Sequence, residues 1–290
     1  MPAARDKKEI WFDWKKRDAA FHLRVFRYAP DRAVFSAAVN KNVLEKYHSK
    51  SQIARILTET WFEKEMYCPN CLHEELLKNP NNTKVTDFVC DYCNNEFQLK
   101  AQSKPFYSKV VDGAFYPMIN SIQQNATPNF SFMEYSFENW KVQNLFFIPK
   151  FFFTPSIIEK RKPLSANARR SGWIGCNVLL SKIPELGKIK VIENEMHFPE
   201  KEVQRNWKRL SFMDKEHAGK RAWLSDILYC IQQLNKKEFT LDEMYNWEDY
   251  LSKLHPKNYN IKPKIRQQLQ ILRDRGILEF KSRGAYIIKK

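Results

Sequence analysis

Two CxxC pairs, Cys68/Cys71 and Cys90/Cys93, stand eighteen residues apart in the stretch Tyr67 to Gln102. Each pair puts two thiolates on one tight turn, and two such turns brought together supply the tetrahedral sulfur cage that zinc prefers. Four thiolates leave no open position for water or substrate. A zinc ion held this way is structural, and its binding energy goes into folding. Nothing in the sequence marks the chain as exported, which favours a metal site over two disulfides or four unrelated thiols.

A second pattern is threaded through the first. Val85-Thr86-Asp87-Phe88-Val89 is apolar and β-branched and predicts a strand. In Asn95 to Lys100, Phe97 and Leu99 alternate with polar residues, so that Glu96, Gln98 and Lys100 share one strand face. The turn at the second cysteine pair would fold the two strands into a hairpin and bring Asp87 beside Gln98 and Lys100. A carboxylate, a second oxygen ligand and a lysine at a sheet edge can bind a hard divalent cation and orient water for attack on a phosphodiester.

The elements around this hairpin follow from periodicity. A capping residue near Ser49 precedes Ile53, Ile56, Leu57 and Trp61 at helical spacing. This helix is expected to pack on the sheet; Glu59 or Glu63 could reach the metal, the other reading being a solvated face. A further helix is predicted over Phe115 to Gln124, and strands over Asn129 to Phe137 and Val142 to Phe153, their phenylalanines being core. Cys176 and Cys230 stand in apolar surroundings and predict buried thiols.

From Lys160 the character changes. Arg161, Lys162, Arg169 and Arg170 stand among Pro, Ser, Asn and Ala, in a loop that cannot bury itself and can lie along phosphates. It ends in Ser171-Gly172-Trp173-Ile174-Gly175, where the two glycines would let backbone approach DNA; the other reading is a solvated loop with Trp173 in the core. Residues 194–220 are charged and poorly periodic and predict a linker. Three helical segments follow, Arg221 to Leu234, Thr240 to Leu254 (opened by a capping box at Thr240 and Glu243) and Ile261 to Arg275. Two apolar strands flanking Lys281-Ser282-Arg283-Gly284 then complete a winged helix. In such a module the third helix enters the major groove. Its inward stripe is Ile261, Ile265, Leu269 and Leu272, which leaves Lys262, Lys264, Arg266, Gln267 and Gln270 for DNA.

The chain of 290 residues carries 49 Lys and Arg against 33 Asp and Glu, a net charge of +16. A surplus of this size favours a polyanionic partner, nucleic acid above all. No window reaches the ~18 uninterrupted apolar residues that a membrane span needs. Charged residues recur from Arg5 through Arg17, where a signal peptide would be apolar. The expectation is a cytoplasmic protein that needs no obligatory protein partner. Four parts are expected: residues 1–40, an N-terminal extension mixing aromatic and basic residues, of unknown role; 41–193, an α/β domain with the metal site; 194–220, the linker; and 221–290, the winged helix.

Asp87, a ten-residue gap and Gln98-x-Lys100 resemble the PD-(D/E)XK nuclease core, and the cysteine pairs interleaved with it resemble the DpnI-like family of methyl-adenine-dependent type II restriction endonucleases. The likeness runs from about Val43 to the C-terminus. It is densest at SQIARILTE (Ser51 to Glu59), YCPNC (Tyr67 to Cys71), RKPLSANARRSGWIGCN (Arg161 to Asn177) and IRQQLQILRD (Ile265 to Asp274). The second acid of the family motif is Gln98 here, so one cation ligand is a neutral amide; Glu96 on the same face could compensate.

The resemblance implies an α/β fold with a PD-(D/E)XK restriction-endonuclease-like mixed sheet, an inserted structural zinc site and a C-terminal winged-helix domain. It implies cleavage of duplex GATC carrying N6-methyladenine, leaving blunt ends. Asp87, Gln98 and the carbonyl of Leu99 would hold Mg2+, and Lys100 would position or activate water. Arg169, Arg170 and Trp173 would contact DNA, Trp173 being the candidate for sensing the methyl group. Two other readings are a DNA-binding regulator whose nuclease site has decayed and a repair nuclease indifferent to methylation.

Overall fold

The computed structural model describes residues 45–80 and 86–289; the N-terminal extension and Val85 lie outside them. Helix α1 (Lys50–Glu65) is followed by the two-residue strands β1 (Leu77–Lys78) and β2 (Phe88–Val89). Then come β3 (Glu96–Gln102), β4 (Val110–Ala114), α2 (Phe115–Gln123), β5 (Asn129–Tyr135), β6 (Val142–Ile148), β7 (Ile158–Lys160), β8 (Gly175–Val178), β9 (Ile189–Glu193) and β10 (Met196–His197). The chain continues through α3 (Glu200–Leu210), α4 (Ala218–Gln233), β11 (Glu238–Thr240), α5 (Leu241–Tyr245), α6 (Glu248–Leu254) and α7 (Ile261–Asp274), and ends in β12 (Leu278–Ser282) and β13 (Ala285–Ile288).

Seven strands form a central mixed sheet in the order β1-β2-β3-β5-β6-β9-β10. All its pairings are antiparallel except β3 with β5. A parallel pair needs a crossover, and here β4 and α2 lie within it. The sheet is covered on both faces, so every residue of β5 is buried. Alternation divides that strand between two cores. Met133 and Tyr135 face α1, whose Leu57, Trp61 and Phe62 meet Phe88, Phe97 and Phe147. Phe130 and Phe132 face the opposite way, into a cluster with Phe151, Phe152 and Phe153 that continues through Trp223, Leu224 and Ile227 of α4 to Ile265 and Leu269 of α7. The helical C-terminal part therefore shares a core with the sheet.

Polar contacts cross the same boundary. Arg221 on α4 is 1% exposed; it donates from Nη2 to the carbonyl of Ile122 at 3.0 Å and from Nη1 to Oδ1 of Asn125, at the end of α2. Ser156 donates to Asp226 at 2.8 Å, and the other oxygen of Asp226 is 2.9 Å from His255 Nε2. The His255 ring stacks on Trp223 with centroids 3.8 Å apart.

Three expectations about elements change. The strand expected over Val142 to Phe153 ends at Ile148, since Pro149 has no N–H for the ladder and Lys150–Phe152 form a 3-10 turn. Residues 194–220 are not an irregular connector, because α3 spans Glu200–Leu210 and buries Val203, Trp207 and Leu210. Those three stand at i, i+4 and i+7, one stripe of a helix, and the charged residues between them hide the period. The predicted helix Thr240 to Leu254 is two helices: the chain leaves helical geometry at Trp247 (φ −90°, ψ 5°) and resumes at Glu248. The capping box at its start is present, with Thr240 and Glu243 each accepting from the other's backbone N–H. In the C-terminal unit β13 pairs with both β11 and β12. No helix among the described residues is long and apolar enough to cross a membrane.

Trp207 tests the role of α3. Its ring sits 6.3 Å from those of Phe97 and Phe147, against the α1 side of the sheet. Trp207→Ala should cost about 3–5 kcal/mol of unfolding free energy in a denaturant titration. A loss below ~1 kcal/mol, the size of an ordinary surface substitution, would mean that α3 is not part of the core.

Candidate functional site

The four cysteines fold into two matching turns. Cys68 N–H donates to the His73 carbonyl at 2.9 Å and Cys90 N–H to that of Asn95 at 2.9 Å, while Leu72 and Asn94 donate back to the carbonyls of Cys68 and Cys90, each at 2.8 Å. Leu72 (φ 62°) and Asn94 (φ 55°) close the turns in the left-handed region, which costs a residue with a side chain some energy. The four Sγ atoms all lie within 4.8 Å of one another. Cys68 to Cys93 is 3.5 Å and Cys71 to Cys90 is 3.6 Å, near the ~3.8 Å edge of a sulfur tetrahedron built on bonds of ~2.3 Å. None of the cysteines is in a disulfide. The four are positioned to hold a metal ion. Burial pushes Cys90 up to about 11; at Cys93 burial is outweighed by hydrogen bonds from Asn95 and Asn70, which bring the thiol down to about 6.

The second turn also brings Asp87 opposite β3. Phe88 pairs with Phe97 and Val89 with Glu96, and the Asp87 N–H donates to the Phe97 carbonyl at 2.9 Å. There β2 stops pairing. The Asp87 carboxylate takes the next place along the ladder and accepts the N–H of Leu99 at 2.8 Å. On the other side of β3, Ser131 donates to the carbonyl of Gln98 at 3.1 Å. The N–H and C=O of one strand residue point to the same side, so the Leu99 carbonyl lies on the Asp87 side of β3.

A cavity of about 410 Å³ opens beside Asp87, lined by Ser51, Ala54, Arg55, Thr58, Glu59, Gln98, Leu99, Ala101 and Tyr135. Glu59 is not on a solvated face. Its side chain is 12% exposed and pairs with Arg55 at 2.6 Å and Lys78 at 2.8 Å, whereas Glu63 and Glu96 are exposed. The sequence held the signal for this, because Ser51, Arg55 and Glu59 recur every fourth residue and so share a face of α1. Burial raises the pKa of the Asp87 carboxyl; the Leu99 N–H opposes that, and the Glu59 charge adds to the rise. Lys100 extends from β3 to β4, where its ammonium donates to Oδ1 of Asp112 at 2.6 Å. The sequence pattern places Asp112-Gly113-Ala114 at the start of the next helix, whereas the structure has them in β4.

The basic loop joins β7 to β8. Arg161, Lys162, Arg169 and Arg170 are exposed and Trp173 is half-buried, with the Arg170 guanidinium 5.1 Å from its ring. Gly172 sits at φ +75°, a turn conformation. Gly175 has a different function from the one expected, since a Cβ there would lie 2.8 Å from Cζ3 and Cη2 of Trp173. The missing side chain makes room for the indole rather than for DNA. On α7, Ile261, Ile265, Leu269 and Leu272 are buried together with Gln268. Lys262, Arg266, Gln267 and Gln270 are exposed and Lys264 is half-buried. Tyr245 lies beneath Lys262 and Arg266, at 5.5 and 5.6 Å from its ring, and Lys264 donates to Gln267 at 2.7 Å.

The Asp87 environment makes a measurable claim. In metal-free protein its carboxyl should titrate above the ordinary 3.8 in a carboxyl-carbon NMR experiment. Glu59→Gln removes a neighbouring negative charge, favours the ionised form and should move that titration downward. A value at or below 3.8, or an upward move in the variant, contradicts the geometry.

Two family models match the chain: the Dam-replacing family, DpnI, over residues 35–216, and the Dam-replacing HTH domain over residues 219–288. Together they take in the sheet with its cysteine turns and the C-terminal unit of α4 to α7 with its hairpin. The chain belongs to the DpnI-like Dam-replacing family, as a restriction endonuclease with a C-terminal winged-helix domain.

Proposed function

We propose that the protein is a methylation-dependent type II restriction endonuclease, acting in the cytoplasm on duplex 5′-GATC-3′ whose adenine carries an N6-methyl group, and cutting after that adenine to leave blunt ends. The observation that carries this reading is the convergence of the Asp87 carboxylate and the Leu99 carbonyl on one side of β3, beside Gln98 and close in sequence to Lys100. We read the β2–β3 hairpin as a PD-(D/E)XK core, residues 41–193 as the nuclease domain, 221–290 as the winged helix and 194–220 as the helical connection between them.

The donors at this edge are all oxygens, which suits Mg2+. Asp87, the Gln98 amide oxygen and the Leu99 carbonyl would hold it. The bound ion lowers the pKa of water and offsets charge growing on the phosphate. Lys100 presents its ammonium to the water and steers the attack. The neutral Gln98 leaves Asp87 as the charged ligand, and the negative field of Glu59 beside it partly restores what a second acid would bring. In the cysteine cage the donor set is four soft sulfurs in a closed shell, the set that zinc takes in structural sites.

Reading of the methyl group is assigned to Trp173, and phosphate contact to Arg169 and Arg170. N6-methylation leaves one N–H on adenine and adds an apolar surface in the major groove. Burying it gains only about 1 kcal/mol, a few-fold to tenfold in affinity. Discrimination therefore calls for methyl groups on both strands and for a second reader, the outer face of α7 with Lys262, Lys264, Arg266, Gln267 and Gln270. The alternative of a DNA-binding regulator draws on Gln98, and that of a repair nuclease on the generality of the hairpin.

One experiment separates the three. With Mg2+, plasmid methylated at GATC should be cut and unmethylated plasmid left whole; cutting of both points to a repair nuclease, and of neither to a regulator. Asp87→Ala should lose cleavage by at least ~100-fold while DNA affinity stays within a few-fold, because a cation ligand is removed and no DNA contact is. Gln98→Glu should keep activity. Wild-type cleavage by Asp87→Ala would refute the site.

The cage is tested separately. Metal analysis of the purified protein should find about one zinc per chain, the stoichiometry of one four-cysteine site, and Cys90→Ala should yield insoluble or unfolded protein. A Cys90→Ala protein that folds and cuts normally would show that the cage is dispensable.

A further inference from the structure

A catalytic lysine has to be held, because its long flexible stem samples many rotamers and its ammonium is compact and strongly hydrated. We propose that Asp112 is the positioning residue for Lys100; the inference rests on the reading of Lys100 given above. Lys100 Nζ lies 2.6 Å from Oδ1 of Asp112, with the two side chains 22% and 6% exposed. The Asp112 carboxylate is thus almost withdrawn from water, while the lysine end reaches it. The ammonium also lies over the Phe130 ring, 5.8 Å from the centroid, an apolar surface that offers the charge no hydrogen-bond acceptor of its own.

The backbone aims Asp112 at this place. It is paired with Cys176 across β4 and β8, and the register shifts between Asp112 and Ala114, with Gly113 in the irregularity. Strand β4 belongs to a separate three-stranded sheet in the order β4-β8-β7, so the anchor comes from outside the sheet that carries Lys100. The three-stranded sheet also bears the β7–β8 loop with Arg169, Arg170 and Trp173. The position of the ammonium is therefore referenced to the strands that hold the DNA-facing loop. Neither Lys100 nor Asp112 is among the residues lining the Asp87 cavity; Lys100 is the neighbour of Gln98 and Leu99 on β3, and Asp112 acts through it.

The test uses the full chain, Mg2+ and a duplex with methylated GATC. Asp112→Asn keeps size and removes charge. Its kcat should fall about 10–100-fold, the effect of a reacting group displaced by around an ångström, with KM for the duplex and the melting temperature near those of the parent. Asp112→Glu should recover part of the rate, since it restores the charge one methylene further out. Should Asp112→Asn fail to fold, Asp112→Glu decides alone: a lowered kcat at unchanged KM supports the positioning role, and a parental kcat overturns it. Parental kcat in Asp112→Asn, with Lys100→Ala inactive, overturns the positioning role and leaves the site reading intact. Full activity in Lys100→Ala overturns the site reading and this inference with it. A fall in kcat matched by a rise in KM and a lower melting temperature, without recovery in Asp112→Glu, marks Asp112 as merely structural and also overturns the proposal.

Discussion

A sheet covered on both faces can hold a charged side chain only where partners meet it, as the Phe106 N–H and the Asn144 amide meet Glu134 in β5, and the arrangement of this protein follows from that constraint. β5 is buried along its whole length, and its neighbour β3 is covered by β5 on one side. On the other side β2 pairs with it for two residues only. Among the described residues, the N–H of Leu99 just beyond that pairing is taken by a side chain, the Asp87 carboxylate. Burial without a partner would be costly for either group; together they satisfy one another and leave a carboxylate facing a polar cavity. The end of β2 pairing at Asp87 is thus what creates the site, and the cysteine turn at the other end of β2 sets its register against β3.

The same economy governs the cations. Lys78 and Arg55 hold Glu59, Lys100 is held by Asp112, and Arg221 is held by neutral oxygens. Other basic residues are exposed, among them Arg161, Lys162, Arg169 and Arg170 of the β7–β8 loop and Lys262 and Arg266 of α7. Among the described residues the cations thus divide into those held inside the fold by partners and those left at the surface. Only the second group adds to affinity and to its dependence on salt.

Much of this was legible in the residues. Spacing alone identified the cysteine cage, since CxxC turns repeat the same local geometry wherever they occur. Alternation in Phe97 and Leu99 identified β3, and helical stripes identified α1, α2, α4 and α7. The Dam-replacing family match accords with the resemblance read from the residue motifs. What escaped has physical reasons. The stripe Val203, Trp207, Leu210 is thin and interrupted by charges, so α3 passed for a linker. Asp112 owes its surroundings to a contact across the fold, with Lys100 of β3, and composition carries no trace of such a contact; for Glu59 the fourth-residue spacing with Ser51 and Arg55 gave the shared face of α1 but not what covers it. Gly175 was legible as a place where a side chain is forbidden, but not as one kept clear for an indole two residues away.

Arg221 has a bearing on how such a chain can be recombined. Its guanidinium lies in a sealed position, and the groups it serves, the Ile122 carbonyl and the Asn125 side chain, belong to the end of α2, about a hundred positions earlier in the chain. A winged helix borrowed from elsewhere and grafted after α3 would leave those oxygens facing an apolar wall unless it brought its own donor at the same helical position. The DNA-reading part is therefore less a detachable cassette than half of a lock, and exchange of specificity modules at this junction is restricted to donors that carry the matching key.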